Sequence, residues 1–382
     1  MIFLPGMEEI WAALPEARMV GGAVRDMLSG QEVADVDFAV PLPPQAVMAR
    51  AKAAGLKFIP TGLAHGTVTI LAAKRGFEVT SLRKDIETDG RHAQVAFTDD
   101  WQEDAARRDF TMNAMFCSQN GHIYDYFGGR ADLSSGLVRF IGDARQRIAE
   151  DYLRILRFFR FFARYGQGVA DATALAAISA ERQGLSGLSA ERVWSELKKI
   201  LQAPAPLLAV QQMHQTGVLN IVLPGAMPDR LAELLARGAP ADPLLRITAL
   251  TDETIARRLR LSGTEAETME QWRAPFTLTP EADAAALRCA LARTKREILI
   301  GQSWLYGGDD AVWVDLRARL KALSQPVFPL QGRDLLALGV RPGAQMGKSL
   351  AAVEAWWLET GCSADKTTCI EQFNKIFAYP QI

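Results

Sequence analysis

"MVGGAVRDMLSGQEVADVDFAV" (Met19–Val40) packs two glycines, an Arg-Asp pair and two aspartates one residue apart into one short stretch. A segment that only fills a core has no use for that set. In "ADVDFAV" the residues alternate, with Val36, Phe38 and Val40 facing one way and Asp35 and Asp37 the other, the period of a strand with one buried face. Two carboxylates held that close repel unless a cation lies between them. Hard dications take oxygen ligands, and Mg²⁺ keeps one or two carboxylates, water and substrate phosphates. That is the composition of a two-metal phosphoryl-transfer site. On its own, D-x-D also describes solvated acids on an exposed edge strand. Gly21-Gly22 shifts the balance. Glycines placed between Met19-Val20 and the helical "AVRDML" let backbone N–H groups approach a phosphate. Arg25 follows three residues after Gly22, within reach of the same anion. No G-x-G-x-x-G accompanies them, so a dinucleotide-binding fingerprint is excluded. A phosphate-holding turn beside a carboxylate pair makes one site for a Mg²⁺-triphosphate.

Around this stretch the chain reads as an α+β protein with an α/β head and a long helical remainder. "PPQAVMARAKAAG" is a helix ending at Gly55, and "GTVTILAAKRGFEVTSLR" is two strands folded about Lys74-Arg75-Gly76. From about residue 144 the sequence is Leu/Ala/Arg/Glu-rich at helical spacing, broken by Pro204, Pro224-Gly225, Pro240, Pro275 and Pro342-Gly343. The 382 residues suffice for more than one domain, and 49% apolar with 23% charged residues is ordinary for globular protein. A net charge of −1 rules out a globally basic nucleic-acid binder while leaving local basic patches open. Four scattered cysteines make neither a disulfide framework nor a zinc site. The start carries Glu8 and Glu9 without a basic n-region, and no apolar run is long enough to span a bilayer. A cytoplasmic protein with no membrane partner is the expectation.

"EDYLRILRFFRFFARYG" (Glu150–Gly166) is the second informative block. On a helix its Leu, Ile and Phe residues point in nearly every direction, so the segment is largely buried. Asp151, Arg154, Arg157, Arg160 and Arg164 nevertheless sit within it, and buried charges need partners. Taken in isolation, the row is equally a set of structural Asp–Arg pairs between packed helices. "ARRDF" adds Arg107, Arg108 and Asp109, and "FEVTSLR" puts Glu78 and Thr80 on the face opposite Phe77 and Val79. Glu78 is either a third carboxylate for the metals or a solvated acid.

Five ordered blocks now stand together: "GGAVRDMLSG…DVDFAV", "FEVTSLRKDIETDGRH", "EDAARRDFTMNAM", "DYFGGRADL" and "EDYLRILRFFRF". With them the sequence resembles the class II nucleotidyltransferases, the family of CCA-adding enzymes and bacterial poly(A) polymerases. The resemblance implies a polymerase-beta-like nucleotidyltransferase head over 1–138, a helical neck over 139–205 that recognises the base, and a helical body and tail over 206–382 that binds tRNA. It implies Mg²⁺ at Asp35 and Asp37, and nucleotide contacts at Gly22 and Arg25. Arg108 falls near the sugar and phosphates, with Arg107 the weaker choice. Asp151 and Arg154 become a protein template, and Arg157 and Arg160 continue the nucleotide-contacting pattern, while Arg164 is structural. The physics of that template agrees, because C and A both present an amine beside a ring acceptor, whereas U and G present a carbonyl beside an N–H. Lys84–Val95 reads as a mobile loop with an Asp-Gly turn, which in the family is associated with switching from C to A addition.

The implied reaction is addition of C, C and A to tRNA 3′ ends from CTP and ATP. The alternatives are a poly(A) polymerase, which shares the head, and a non-catalytic RNA-binding protein with a relic head. No basic stretch of the kind often found before the metal motif in poly(A) polymerases is present, and Asp35, Asp37, Asp151 and Arg154 all stand intact. Four histidines with no His-Asp dipeptide leave no sign of an appended phosphohydrolase domain, and no protein partner is implied. "SAERVWSELKKIL" reads as an amphipathic helix capped by Ser189. The clusters Arg257/Arg258/Arg260 and Arg293/Lys295/Arg296 are either solvated faces or contacts to tRNA phosphates. "DYFGGRADL" is a hinge or a plain turn. Gly347-Lys348-Ser349 is placed in a turn or at a helix start.

Overall fold

Phe38 and Val40, with no exposed surface, fix which side of the first sheet is buried. A computed structural model describes residues 4–89 and 92–377, with side chains other than those of 85–95. Its strands are β1 Arg18–Val20, β2 Asp37–Val40, β3 Lys57–Gly62, β4 Thr67–Ala72, β5 Arg75–Ser81, β6 Arg83–Asp89, β7 His92–Phe97, β8 Met115–Cys117 and β9 Ile123–Asp125. Seven of them form one sheet in the order β3-β4-β5-β2-β1-β8-β9, and β6 pairs with β7 alone. Only β2 and β5 run parallel. The helices Met7–Ala13, Gly22–Leu28 and Pro44–Ala53 contribute Ile10, Trp11, Val24 and Val47 to a core with Phe38, Val40, Val68, Ile70 and Val79. Trp11 meets Phe38 edge-on at 5.4 Å between ring centres, a favoured geometry for aromatic pairs. On the opposite face Val20, Ala39 and Phe116 pack with Ala105 and Ile141. Asp37 and Glu78 share that second face, because Val20 is registered to Asp37 and Asp37 to Glu78.

Three local readings of the sequence change. The strand begins at Asp37, so Asp35 lies in the irregular segment before it. The cause is β1, which ends at Val20 as the chain turns into the Gly22–Leu28 helix and offers Asp35 no ladder partner. The hairpin turn is Ala73-Lys74 and not Lys74-Arg75-Gly76, since Ala72 pairs with Arg75. Both turn residues have positive φ, 45° and 64°, as a two-residue turn matching strand twist requires. Within Lys84–Val95 the expected loop is largely an antiparallel ladder, registered from Arg83↔Phe97 to Asp89↔His92. The sequence there shows no clear alternation of hydrophobic and polar residues, which is why composition alone suggested a loop. The rest of its turn, Gly90 and Arg91, lies outside the described residues.

The chain divides into two units, 1–228 with 258–260, and 229–257 with 261–382. In the first, the helix Leu153–Tyr165 buries Leu153, Ile155, Leu156, Phe158, Phe159, Phe161 and Phe162. Phe158 is stacked on Phe140 and Phe162 and lies edge-on to Phe159. Ser189 occupies the N-cap position of the helix Ala190–Gln202, which packs along Leu153–Tyr165. Asp125 of "DYFGGRADL" accepts from the backbone N–H groups of Phe127, Gly129 and Arg130. Its neighbour Asp132 accepts from Thr111 and Arg139. Both acids are therefore spent on holding the turn.

The second unit is helical among its described residues, with cores around Trp272, around Leu291 and Leu316, and around Trp357 and Phe373. Gly347-Lys348-Ser349 lies inside the helix Ala344–Glu359, not in a turn or at its start, and Ser349 is buried. Of the basic clusters, Arg258 donates to the carbonyls of Ile221 and Val222, Arg260 pairs with Glu191 at 2.7 Å, and Arg296 caps the Leu323 carbonyl. Two of the three residues in the first cluster and one of the three in the second are thus structural. Phe158→Ala is expected to cost about 3–5 kcal/mol, read as a lower urea midpoint for unfolding.

Candidate active site

Gly21 opens the site. Its φ of +66° with ψ of −119° is a conformation that a side chain would strain, and it turns the end of β1 directly into the helix Gly22–Leu28. A Cβ on Gly21 would stand 3.5 Å from the Arg108 guanidinium, and one on Gly22 would stand 3.6 Å from that of Arg25. Those are ordinary contact distances, so at Gly21 it is the positive φ and not lack of space that calls for glycine. Beside this turn is a cleft of about 600 Å³. Gly22, Arg25, Asp37, Arg108, Asp151, Arg154, Arg157 and Arg160 all line it. The carboxylate of the sheet and the charged row of the buried helix, more than a hundred residues apart in sequence, face one space. Arg107 lines it too.

Asp35 and Glu78 stand behind Asp37. Burial pushes the Asp37 carboxyl above its ordinary range, Glu78 and Asp35 push it further, and Arg108 opposes them. Among the described residues no group of three or more His, Cys, Asp or Glu side chains is arranged to hold a metal ion. Asp37 lines the cleft, and Asp35 and Glu78 do not. The donor chemistry still fits a hard dication, since all three are oxygen donors and the charges of Asp35 and Glu78 act on the Asp37 carboxyl against the Arg108 guanidinium.

Seven arginines and three aspartates line the cleft, an excess suited to a polyanion. Each arginine of the cleft lining is braced by an acid. Arg25 donates to Asp26 at 2.9 and 3.0 Å and to Asn113 Oδ1 at 2.6 Å, and lies 5.0 Å over the Phe161 ring. Asp104, almost wholly buried, receives Arg107 at 2.7 Å and Arg108 at 2.9 Å. Burial pushes the Asp104 carboxyl up, but these two guanidiniums outweigh it and hold the group below its usual range. Arg154 pairs with Glu150 and donates to the Arg147 carbonyl at 2.8 Å, both from Nη1. Arg157 pairs with Asp109, and Arg160 with Glu196 at 3.0 Å. Asp151 accepts from Arg192 at 2.7 Å and from the Leu153 N–H at 3.1 Å. Structural pairing and a place on the cleft wall are combined in the same side chains. Arg154 is anchored through Nη1 alone, whereas Arg25 is held through all three nitrogens by Asp26 and Asn113.

Sequence reasoning passed over Asp109, Asn113, Phe161 and Arg192. Asp109 is buried and accepts from Arg157, from Asn113 at 3.0 Å and from the Phe110 N–H at 2.9 Å. Burial pushes its carboxyl up, yet Arg157 and these hydrogen bonds hold it below the ordinary range. The signal for Arg192 was available, since Arg192 and Glu196 are four apart on the helix Ala190–Gln202, and Glu196 falls among its buried residues. A polar pair on the packing face of an amphipathic helix asks for charged partners opposite.

Comparison with known proteins agrees with this arrangement. A family model described as the poly A polymerase head domain matches residues 17–139, and one described as the probable RNA and SrmB-binding site of polymerase A matches residues 171–229. The mitochondrial CCA tRNA nucleotidyltransferase 1 of Mus musculus is 34% identical, over 94% of this chain and 87% of its own. The CCA-adding enzyme of Levilactobacillus brevis is 31% identical over 92% of this chain and 91% of its own. The crystal structure of Bacillus stearothermophilus CCA-adding enzyme in complex with CTP superposes with a TM-score of 0.74 at 25% identity, covering 98% of this chain and 99% of that one.

The two perturbed acids are expected to respond oppositely to amidation. A raised carboxyl makes its charged form costly above its folded pKa, so Asp37→Asn should raise the thermal midpoint in chelator at neutral pH. A depressed carboxyl contributes stability above its unfolded pKa that is lost as pH falls through the folded one. Asp109→Asn should therefore lower the midpoint at pH 7, with the difference from the parent shrinking in acid.

Proposed function

We infer the reaction from kinship and geometry together: this chain belongs to the class II family of CCA-adding enzymes and poly(A) polymerases, and it adds C, C and A to the 3′ end of tRNA from CTP and ATP. Two relatives at 31–34% identity, each matched over most of its length, support the activity. The observation that carries the mechanism is the single cleft shared by Asp37, the Gly21-Gly22 turn and the Asp151–Arg154 couple.

In this reading the triphosphate lies along the Gly22 backbone and the Arg25 guanidinium, and Arg108 meets the sugar and phosphates. The base faces Asp151 and Arg154. Asp151 spends part of its acceptor capacity on Arg192 and the Leu153 N–H, and a carboxylate retains lone pairs for an exocyclic amine. Arg154 anchors through Nη1, so Nε and Nη2 are left to donate to the ring acceptor of C or A. U and G would set a carbonyl against the carboxylate and an N–H against the guanidinium. Two buried mismatches of that kind cost far more than a lost contact. Arg157 and Arg160 complete the nucleotide's surroundings from the same helix.

The reaction class uses a divalent metal, which we assign as Mg²⁺, with Asp35 and Asp37 as its holders and Glu78 as the third. When bound, it would ease deprotonation of the RNA 3′-hydroxyl and offset charge on the departing pyrophosphate. Residues 1–138 then serve as the catalytic head, 139–205 as the base-reading neck and 206–382 as the tRNA-binding body and tail; a family-model boundary at residue 139 supports the first division. We place the reaction in the cytoplasm, which four free cysteines support. No described helix is long and apolar enough to cross a membrane.

Incubation with tRNAs ending before, within and after CCA tests this reading. With CTP alone, tRNA lacking CCA should gain two C residues and stop, and ATP should then add one A. A poly(A) polymerase would add nothing from CTP and a run of A from ATP. Asp37→Ala should lower turnover by at least about 100-fold, and Arg154→Ala should narrow the preference for C and A over U and G in single-nucleotide incorporation.

A further inference from the structure

A second cleft of about 460 Å³ lies behind the first and shares Arg25, Arg160 and Phe161 with it. Its remaining charged lining is Arg164, Lys199 and Asp26. Four cations thus face one carboxylate, and the cations beyond the shared wall are weakly neutralised. Arg164 donates to the Tyr165 hydroxyl at 3.0 Å and to Gln31 Oε1 at 3.2 Å, both uncharged acceptors. Lys199 must share Glu196, at 3.5 Å, with Arg160 at 3.0 Å. Elsewhere in this region each guanidinium named above has its own acid or shares one that is buried. The second cleft, like the first, therefore keeps an excess of positive charge, and such a concavity collects polyanions.

We propose that this second cleft receives the pyrophosphate released by nucleotidyl transfer. The inference rests on the reaction proposed above. In that reaction the RNA 3′-oxygen forms a bond to the α-phosphorus as the bond from that phosphorus to the bridging oxygen breaks. The electron pair leaves on pyrophosphate, and the hydroxyl proton goes to solvent. Attack and departure are in line, so the leaving group exits away from the incoming hydroxyl. The hydroxyl approaches from the side of Asp35 and Asp37. The helix Gly22–Leu28 places Gly22 and Arg25 on the wall of the first cleft with Asp37, and Arg25 and Asp26 on the wall of the second with Arg164 and Lys199. Arg25, which holds the triphosphate on one side, borders the second cleft on the other. The leaving group needs only to pass Arg25 to meet uncompensated charge.

The test is inhibition of CTP incorporation by added pyrophosphate, together with the reverse reaction, in Arg164→Gln and Lys199→Gln. Loss of one charge-assisted contact should weaken the pyrophosphate inhibition constant and slow pyrophosphorolysis about tenfold. The KM values for CTP and tRNA should move by less than about twofold, a small fraction of that free energy. Arg164→Lys should recover most of the loss. An unchanged inhibition constant in Lys199→Gln, with the thermal midpoint of the parent, overturns the proposal. So does a raised KM for tRNA with pyrophosphate inhibition intact, which would assign the cleft to RNA backbone phosphate. Failure of the parent chain to incorporate CTP at all would instead strike the reading beneath it.

Discussion

A line of four side chains, Arg25–Asn113–Asp109–Arg157, connects the two halves of the site. Arg25 donates to Asn113 at 2.6 Å, Asn113 donates to Asp109 at 3.0 Å, and Arg157 donates to the other oxygen of Asp109 at 2.7 Å. One end stands at the glycine turn of the sheet and the other on the buried helix Leu153–Tyr165. Asp109 is the member that the rest depend on, because it is buried and bound from three directions. An unpaired carboxylate at that depth would be costly, and so would the guanidinium it left behind. The pair is thus weak evidence for stability but strong evidence for registration. It holds the helix Leu153–Tyr165 at one setting against the Gly21-Gly22 turn.

The same logic is repeated around the cleft. Seven arginines in one concavity would repel each other and wander without anchors. Asp26, Asp104, Asp109, Glu150 and Glu196 each take hold of one or two of them from behind. Anchoring leaves the net charge of the cleft positive and makes the donors rigid, which is what a preorganised phosphate site requires. The sheet supplies the opposite charge in a different manner. Asp37 and Glu78 are neighbours on adjacent parallel strands, and Asp35 precedes the first of them. They are held together by backbone register and not by attraction, and their mutual repulsion contributes to the raised Asp37 carboxyl.

Much of this was legible in the residues themselves. Asp37, Gly22 and Arg25 follow from the chemistry of a phosphate turn beside a carboxylate, and all three line the cleft. The charged row of Asp151, Arg154, Arg157 and Arg160 declared itself by contradiction, as charge within a helix too apolar to be exposed. What escaped was the bracing set. Asp104, Asp109, Asn113 and Glu196 look like ordinary surface polar residues in a one-dimensional reading, and their partners lie up to 88 residues away. The ladder of β6 with β7 escaped as well, since its sequence shows no clear hydrophobic period.

Local chemistry therefore determined the element types, the buried faces and the identity of the reacting groups, because those depend on side-chain class and on periods of a few residues. Tertiary structure alone decided that the sheet acids and the helix charges share one cleft, which acid braces which arginine, and where positive charge is left uncompensated behind Arg25. Each of these is a matter of distance between segments remote in the chain. Electrostatic pairing depends on separations of a few ångströms that no spacing in the sequence encodes.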